Sequence, residues 1–290
     1  VFEIPSPLQE VRFDDCFFRI KRDDLIHHEV SGNKWRKLKY NVENAKRSGC
    51  TALLTFGGPY SNHIAATAAA GSMLGIRTMG IIRGEEAYKT NPTLSKAHLH
   101  GMELHFLSRS AYRELRLNNA FEDFAQKFDG VYIVPEGGAN LAGAKGCAEI
   151  IAEFDRSPAH IVLAGGTGTT AAGLLMAISP GSTVHLIPVL KGGAYLREPI
   201  ASMLAQTGNT NKIEALHIHS EFHCGGYGKA TIGLLAFKKK FESATEIRLD
   251  RIYTAKAMWA MVQLMELGVL PSNGEAVFLH TGGLQGDTPV

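Results

Sequence analysis

Ser31-Gly32-Asn33-Lys34-Trp35-Arg36-Lys37 opens a stretch in which Trp35, Leu38, Val42 and Ala45 recur at spacings of three and four. That period predicts an amphipathic helix from about residue 33 to 46, its apolar stripe turned to the core. Lys34 borders the stripe one turn before Leu38. A free lysine, with a pKa of roughly 10.4, is protonated at neutral pH and a poor nucleophile. Burial beside apolar groups would lower that value and free the amine to form an imine. Read alone, the residue is better explained as a solvated lysine in a basic run with Arg36, Lys37 and Lys39, since charged residues on helices are mostly at the surface.

A second stretch changes that balance. Ala164-Gly165-Gly166-Thr167-Gly168-Thr169-Thr170 follows an apolar run and leads into an Ala/Gly/Leu-rich helix pattern over residues 169–178. Backbone N–H groups at a helix start, with threonine hydroxyls beside them, bind a phosphate dianion. A lysine able to form an imine and a phosphate cradle together imply pyridoxal 5'-phosphate. Gly166-x-Gly168-x-x-Ala171 also approaches the dinucleotide fingerprint. That motif needs an acidic residue near the end of the next strand, whereas this run leads into Lys191-Gly192-Gly193. Gly228-Lys229-Ala230-Thr231 lacks the spacing of a nucleoside-triphosphate loop.

Outward from these stretches, β-rich runs alternate with helical patterns, the rhythm of a parallel α/β sheet. Strands are predicted at residues 52–56, 77–82, 103–107, 131–135, 160–164, 183–190, 215–220 and 276–280. Glycine pairs at Gly57-Gly58, Gly137-Gly138, Gly165-Gly166, Gly192-Gly193 and Gly282-Gly283 stand at the ends of these runs, and Gly225-Gly226 lies just past another. Any one pair is ordinary turn chemistry. Their recurrence at one end of successive strands predicts a ligand crevice at the carboxyl edge of an open sheet.

With 290 residues, 45% of them hydrophobic, the chain can bury one large or two small cores. A net charge of +2 with scattered Lys and Arg gives no footprint for nucleic acid or an anionic membrane, and a small neutral or zwitterionic partner fits better. No apolar run approaches the ~20 residues of a membrane span. Val1-Phe2-Glu3-Ile4-Pro5 has no basic region followed by an apolar one, so no secretory leader is expected. Cys16, Cys50, Cys147 and Cys224 form no C-x-x-C pair, so reduced thiols in a cytoplasm are expected and a zinc module is not. His217, His219, Glu221 and His223 alternate as if on one strand face, which a metal site or a polar surface would both explain; the polar surface is favoured and no metal is assigned.

Gly57-Gly58-Pro59-Tyr60-Ser61-Asn62-His63 places a hydroxyl, an amide and an imidazole at a predicted helix start, suited to capping and to an anionic ligand oxygen. Lys21-Arg22-Asp23-Asp24-Leu25, Gly32-Asn33-Lys34, this stretch, Pro135-Glu136-Gly137-Gly138, Tyr227-Gly228, Leu249-Asp250-x-x-Tyr253-Thr254 and His280-Thr281-Gly282-Gly283 occur in that order. Together they resemble the D-cysteine desulfhydrase and 1-aminocyclopropane-1-carboxylate deaminase family of pyridoxal-phosphate enzymes, over almost the whole chain.

That resemblance implies an α/β fold of two interleaved open twisted-sheet domains, tryptophan synthase β-like (fold type II), with the cofactor in the interdomain cleft. The large domain is expected at residues 1–35 and 146–290, the small one at 36–145. A homodimer is expected. Lys34 would carry the covalent link to the cofactor, Asn62 would meet its phenolic oxygen, and Gly166, Thr167, Gly168, Thr169 and Thr170 would hold its phosphate. Thr281 would also touch the cofactor. Ser61, Asn62 and His63 would face the substrate, whose carboxylate falls to Ser61 and His63. Tyr227, Tyr253 and Thr254 would line the pocket, one tyrosine stacking on the pyridine ring. The catalytic set would be Lys34, Ser61, Tyr227 and Tyr253.

The resemblance also divides the family. Its deaminases typically show Tyr-Glu, His-Leu-Gly-Gly and Ser-Asn-Gln where this chain has Tyr253-Thr254, His280-Thr281 and Ser61-Asn62-His63. All three positions side with the desulfhydrase, which eliminates sulfide from D-cysteine. A carboxylate near the pyridine nitrogen strengthens the electron sink that ring opening demands; a threonine suffices when a good β-leaving group departs. Ring opening, racemisation, serine dehydration and cofactor binding without turnover are the alternatives. The chain departs from the family in a shortened N-terminal region and in Gly225-Gly226 before Tyr227.

Overall fold

The computed structural model describes residues 2–30 and 32–284; Ser31, which opens the first stretch quoted above, and the last residues of the expected large domain lie outside them. The chain begins with an antiparallel hairpin, β1 (Leu8–Phe13) and β2 (Cys16–Lys21). Strands and helices then alternate through α1 (Lys34–Arg47), β3 (Ala52–Gly57), α2 (Asn62–Leu74), β4 (Arg77–Arg83), α3 (Pro92–Leu99) and β5 (Glu103–Leu107). Two short helices, α4 (Arg109–Leu117) and α5 (Phe121–Ala125), lead to β6 (Val131–Val134) and α6 (Leu141–Ala152). The second half runs β7 (His160–Gly165), α7 (Thr169–Ala177), β8 (Thr183–Pro188), α8 (Arg197–Ala205) and β9 (Leu216–Ile218). It finishes with α9 (Ile232–Thr245), α10 (Thr254–Glu266) and β10 (Asn273–Leu279).

These strands form two sheets, a six-stranded one ordered β1-β2-β10-β7-β8-β9 and a four-stranded one ordered β5-β4-β3-β6. Apart from the β1–β2 hairpin, the neighbouring strands run parallel. This is the two-sheet α/β architecture expected from the sequence. The hairpin is the element that periodicity missed: its turn is Asp14-Asp15, with Asp14 at φ +50, rather than a glycine-marked reversal. Leu216–Ile218 is shorter than the strand expected there, and residues 220–223 form a 3-10 turn.

Strand alternation sorts the large sheet's side chains between two cores. Val162, Ala164, Ile187 and Phe278 pack on one face with α9 and α10, while Ile161, Leu163, Val184 and Leu186 pack on the other with α6, α7 and α8. All six residues of β3 are buried, as expected for a central parallel strand covered on both faces.

A buried charge network joins the first hairpin to α1 and α6. The Arg36 guanidinium donates to both oxygens of Asp23 at 2.7 Å and to Glu153 Oε1 at 2.7 Å. Lys21 Nζ lies 2.6 Å from Glu153 Oε2, and Ser6 Oγ donates to Asp23 Oδ1 at 2.7 Å. Gly146 lets α6 press against α1, since a Cβ there would lie 1.8 Å from the Arg36 carbonyl oxygen. Burial raises the pKa of Glu153, but the hydrogen bonds and charges of Arg36 and Lys21 outweigh it and hold the carboxyl below its ordinary 4.5. Its stabilisation is therefore intact above that value and is lost as pH falls through the lowered one.

Removing one member of such a network strands the others without a partner. Arg36→Met is expected to cost about 3–5 kcal/mol in urea unfolding, as for other broken buried pairs. A loss under about 1 kcal/mol would show that the network contributes little.

Candidate active site

The starts of α2 and α7, the loop after β6 and the loop after β10 all leave the carboxyl ends of parallel strands. That edge is where an open sheet offers free backbone N–H groups. The start of α1 is brought to the same place by Gly32, which sits at φ +65 and packs so closely that an added Cβ would meet the Thr281 carbonyl oxygen at 1.9 Å. Asn33 N donates to that same oxygen at 3.3 Å.

Lys34 is therefore the first residue of a helix pinned by its own N-cap region. It keeps partial access to solvent, yet protein surrounds it deeply enough that burial pushes its pKa down to about 7; the charge of Lys37 adds to this, and Asp250 and Cys147 oppose it. Its Nζ donates to Asn33 Oδ1 at 3.0 Å, and Asn33 Nδ2 donates to Thr170 Oγ1 at 2.7 Å. One amide thus ties the lysine to the first turn of α7.

Lys37, one turn further on, was read from sequence only as part of a basic run. It is buried, its pKa is lowered by burial, and no carboxylate pairs with it among the described residues. The thiol of buried Cys147, held above its ordinary value chiefly by burial, feels both Lys37 and a hydrogen bond with Thr170. A buried cation thus stands beside a helix start, a setting that calls for an anion. The i, i+3 spacing from Lys34 was the available signal.

The α7 start has the geometry its glycines predict. Gly168 is the N-cap at φ +78, and Thr167 Oγ1 and Thr169 Oγ1 lie 2.9 Å apart. The first amides of α7 have no acceptor within the helix. Across the cleft, the 136–138 turn abuts this loop: a Cβ on Gly137 would lie 2.9 Å from Thr167 Cγ2, and one on Gly138 3.0 Å from Lys37 Cβ.

At the start of α2, Ser61 is the N-cap and its hydroxyl accepts from Ile64 N at 3.4 Å. Asn62 Nδ2 faces the loop after β10, 3.2 Å from where a Cβ on Gly283 would be. His63 is turned inward, buried and only 2% exposed. Burial, with the charges of Lys34 and Lys37, drives its pKa down to about 3, so the ring is neutral. Thr55 Oγ1 donates to Val134 O at 2.8 Å and so accepts from His63 Nε2 at 2.9 Å. That fixes the proton on Nε2 and leaves Nδ1, which has no partner among the described residues, as an acceptor. A carboxylate at this position would meet the backbone amides of Asn62 and His63 rather than this ring.

Tyr253 and Tyr227 close the opposite side. Tyr253 lies against the α7 loop, its Cε1 being 3.3 Å from a Cβ on Gly166, and its ring meets that of Tyr227 edge-on at 6.2 Å and 79°. Burial first, then the Tyr227 hydroxyl, pushes the Tyr253 phenol well above its ordinary value. Thr254 is fully buried and bonded to Asp250: its hydroxyl donates to Asp250 Oδ2 at 2.9 Å and accepts from Asp250 N at 2.8 Å. Asp250 also accepts from the amides of Ile252, Tyr253 and Thr254. It is the anchor of the α10 start, and the sequence reading assigned it no role. Thr281 is buried at the α1 start, joined to it through its carbonyl.

The histidines lie elsewhere. His185 Nδ1 and His219 Nε2 are 3.0 Å apart, and His185 is linked through Thr183 to His160 at the amino ends of β7 and β8, away from the crevice. His223 Nδ1 instead accepts from Gly225 N at 3.0 Å. Among the described residues no grouping of three or more His, Cys, Asp and Glu could hold a metal ion.

An amine half-deprotonated near neutrality, a buried cation and a helix start with free amides fit a phosphorylated aldehyde. Comparison with known proteins agrees. Residues 2–282 match the family model described as pyridoxal-phosphate dependent enzyme. A D-cysteine desulfhydrase of Salmonella choleraesuis is 28% identical over 96% of this chain and 92% of its own. The bifunctional D-cysteine desulfhydrase/1-aminocyclopropane-1-carboxylate deaminase, mitochondrial, of Arabidopsis thaliana is 30% identical over 92% of this chain and 72% of its own. A crystal structure of an ACC deaminase homologue superposes with a TM-score of 0.82 at 26% identity, covering 98% of this chain and 91% of that one. The chain belongs to the pyridoxal-phosphate-dependent enzymes, in the family of D-cysteine desulfhydrase and 1-aminocyclopropane-1-carboxylate deaminase, with their tryptophan synthase β-like fold. It is a lyase, and its cofactor is pyridoxal phosphate. Among the described residues no helix is long and apolar enough to cross a membrane.

Since only the neutral amine attacks an aldehyde, covalent capture of the cofactor by stripped protein should rise with pH through about 7 and level off above it. Borohydride reduction and peptide mapping should place the label on Lys34, and Lys34→Ala should abolish it. A label on Lys37, or capture that climbs only near the ordinary lysine range, would sink the assignment.

Proposed function

We propose that the protein eliminates the β-substituent of a small amino acid, D-cysteine before others, releasing sulfide, pyruvate and ammonia. The observation that carries this reading is position 254, a threonine whose hydroxyl is held by Asp250. Thr254 stands where a deaminase-like sequence has glutamate, and the nearby carboxylate, Asp250, is consumed by four hydrogen-bond donors at the α10 start.

Bound in the cleft, pyridoxal phosphate supplies the aldehyde linked to a lysine and the electron-withdrawing ring that acidifies an amino acid's α-carbon. Lys34 is that lysine in this reading. Its Nζ rests on Asn33 Oδ1 at 3.0 Å. With a pKa of about 7 it is partly neutral and can take the α-proton at that atom. The amides from Gly166 to Thr170 and the Lys37 side chain would hold the cofactor's phosphate, Asn62 would meet its phenolic oxygen, and Thr281 would border its ring. Ser61 with the first amides of α2 holds the substrate carboxylate, orienting the α-carbon toward Lys34. The bare His63 Nδ1 accepts an N–H from the amine side of the cleft. Tyr253, protonated across the neutral range, hydrogen-bonds the departing sulfur, with Tyr227 completing the wall.

A second reading, ring opening of 1-aminocyclopropane-1-carboxylate, is favoured by the bifunctional plant relative, whose name carries both activities. Holoenzyme given D-cysteine, L-cysteine, D-serine and aminocyclopropane carboxylate should yield sulfide and pyruvate from D-cysteine and almost no 2-oxobutyrate. Strong 2-oxobutyrate release would transfer the assignment to the second reading. Failure to act on cysteine of either hand would remove the first.

A further inference from the structure

Lys256 is wholly buried on α10, one turn after Tyr253, among Ala255, Ala257, Met258 and Ala260. A lysine in such a setting is costly unless its donors are satisfied. No carboxylate hydrogen-bonds to its Nζ among the described residues. It donates instead to two backbone carbonyls, His223 O at 2.9 Å and Gly226 O at 2.8 Å. Between and just beyond these carbonyls the backbone is left-handed at Cys224, Gly225, Gly226 and Gly228, with φ of +51, +91, +106 and +69. Two turn bonds run within the loop, Gly226 N to His223 O at 3.0 Å and Lys229 N to Gly226 O at 3.2 Å, and their acceptors are the same two carbonyls that Lys256 ties to α10.

This loop carries Tyr227, which is 49% exposed and so lacks the packing that would fix a core aromatic. Its ring nevertheless meets Tyr253 in a defined edge-on geometry. Tyr253 is itself fixed, since its amide donates to Asp250 Oδ1 at 2.7 Å. What remains to be explained is what holds Tyr227 in register with it.

We propose that Lys256 is a positioning residue for substrate recognition: by clamping the 223 and 226 carbonyls to α10 it fixes Tyr227 against Tyr253 and so sets the wall of the cleft facing the substrate side chain. The inference rests on the reading above that these tyrosines flank the substrate. Lys256 touches neither substrate nor cofactor; it acts through the loop.

The test compares wild type, Lys256→Met, which keeps the stem and loses the donors, and Lys256→Arg, which keeps donors. Hydrogen exchange of the 224–229 amides in the holoenzyme, measured without substrate, should accelerate about tenfold or more in the Met variant, with cofactor content and exchange elsewhere unchanged. KM for the substrate that is turned over should rise about tenfold with kcat within about threefold, and Arg should recover most of both changes. Wild-type exchange in the Met variant overturns the clamp. Acceleration throughout the chain with loss of cofactor also overturns it, because the lysine would then support the core rather than the loop. The exchange measurement involves no substrate, so an error about D-cysteine leaves its result intact.

Discussion

The first turn of α1 serves two buried sites at once, and the pairing of Arg36 with Asp23 and Glu153 makes that possible. At 3.6 residues per turn, Lys34 and Lys37 share one side of the helix while Arg36 points away from them. The guanidinium is locked on its side by two carboxylates, one from just after β2 and one from just after α6. With that side fixed, the helix cannot roll, and the two lysines are held toward the cleft despite the cost of burying them. Charged residues of opposite function are thus separated by helical geometry rather than by distance along the chain.

The same economy recurs at the other helix starts. Ser61 caps α2 while leaving its first amides free, Gly168 turns the chain into α7, and Asp250 gathers the α10 start. The α2 and α7 starts face the cleft from the ends of β3 and β7, and the α10 start, which follows α9, brings Tyr253 against the α7 loop. Anion-seeking backbone is therefore concentrated in one volume, and the two buried lysines extend that positive character. A substrate and cofactor bearing a carboxylate and a phosphate suit it. The neutral imidazole of His63 fits there because burial and two nearby lysines make a second positive ring too costly.

Much of this was legible in the sequence because its signals are local. The Trp35, Leu38, Val42, Ala45 stripe placed Lys34 at a helix start, and the Gly/Thr turn placed a glycine-led helix start after a strand. The parts that were not legible depend on contacts between distant residues. Lys37 looked like surface charge because nothing in its own neighbourhood reveals the cover supplied by residues 136–138. Thr254 gave no hint of the bonds its hydroxyl makes with Asp250. The imidazole of His63 carried no hint of its proton's position, which Thr55 and Val134 decide. The β1–β2 hairpin escaped because its Asp14-Asp15 turn lacks glycine and its strands alternate only weakly.

The strand order carries a temporal consequence. β10, the last strand of the described chain, lies between β2, which is among the first, and β7. During synthesis the four-stranded sheet, whose strands span residues 52–134, can close early. The larger sheet must wait with a gap at its centre, its β2 and β7 edges both unpaired. Only when β10 inserts does the His280–Gly283 segment arrive to receive the Asn33 amide. Until β10 joins the sheet, the cofactor site therefore stays open on one side.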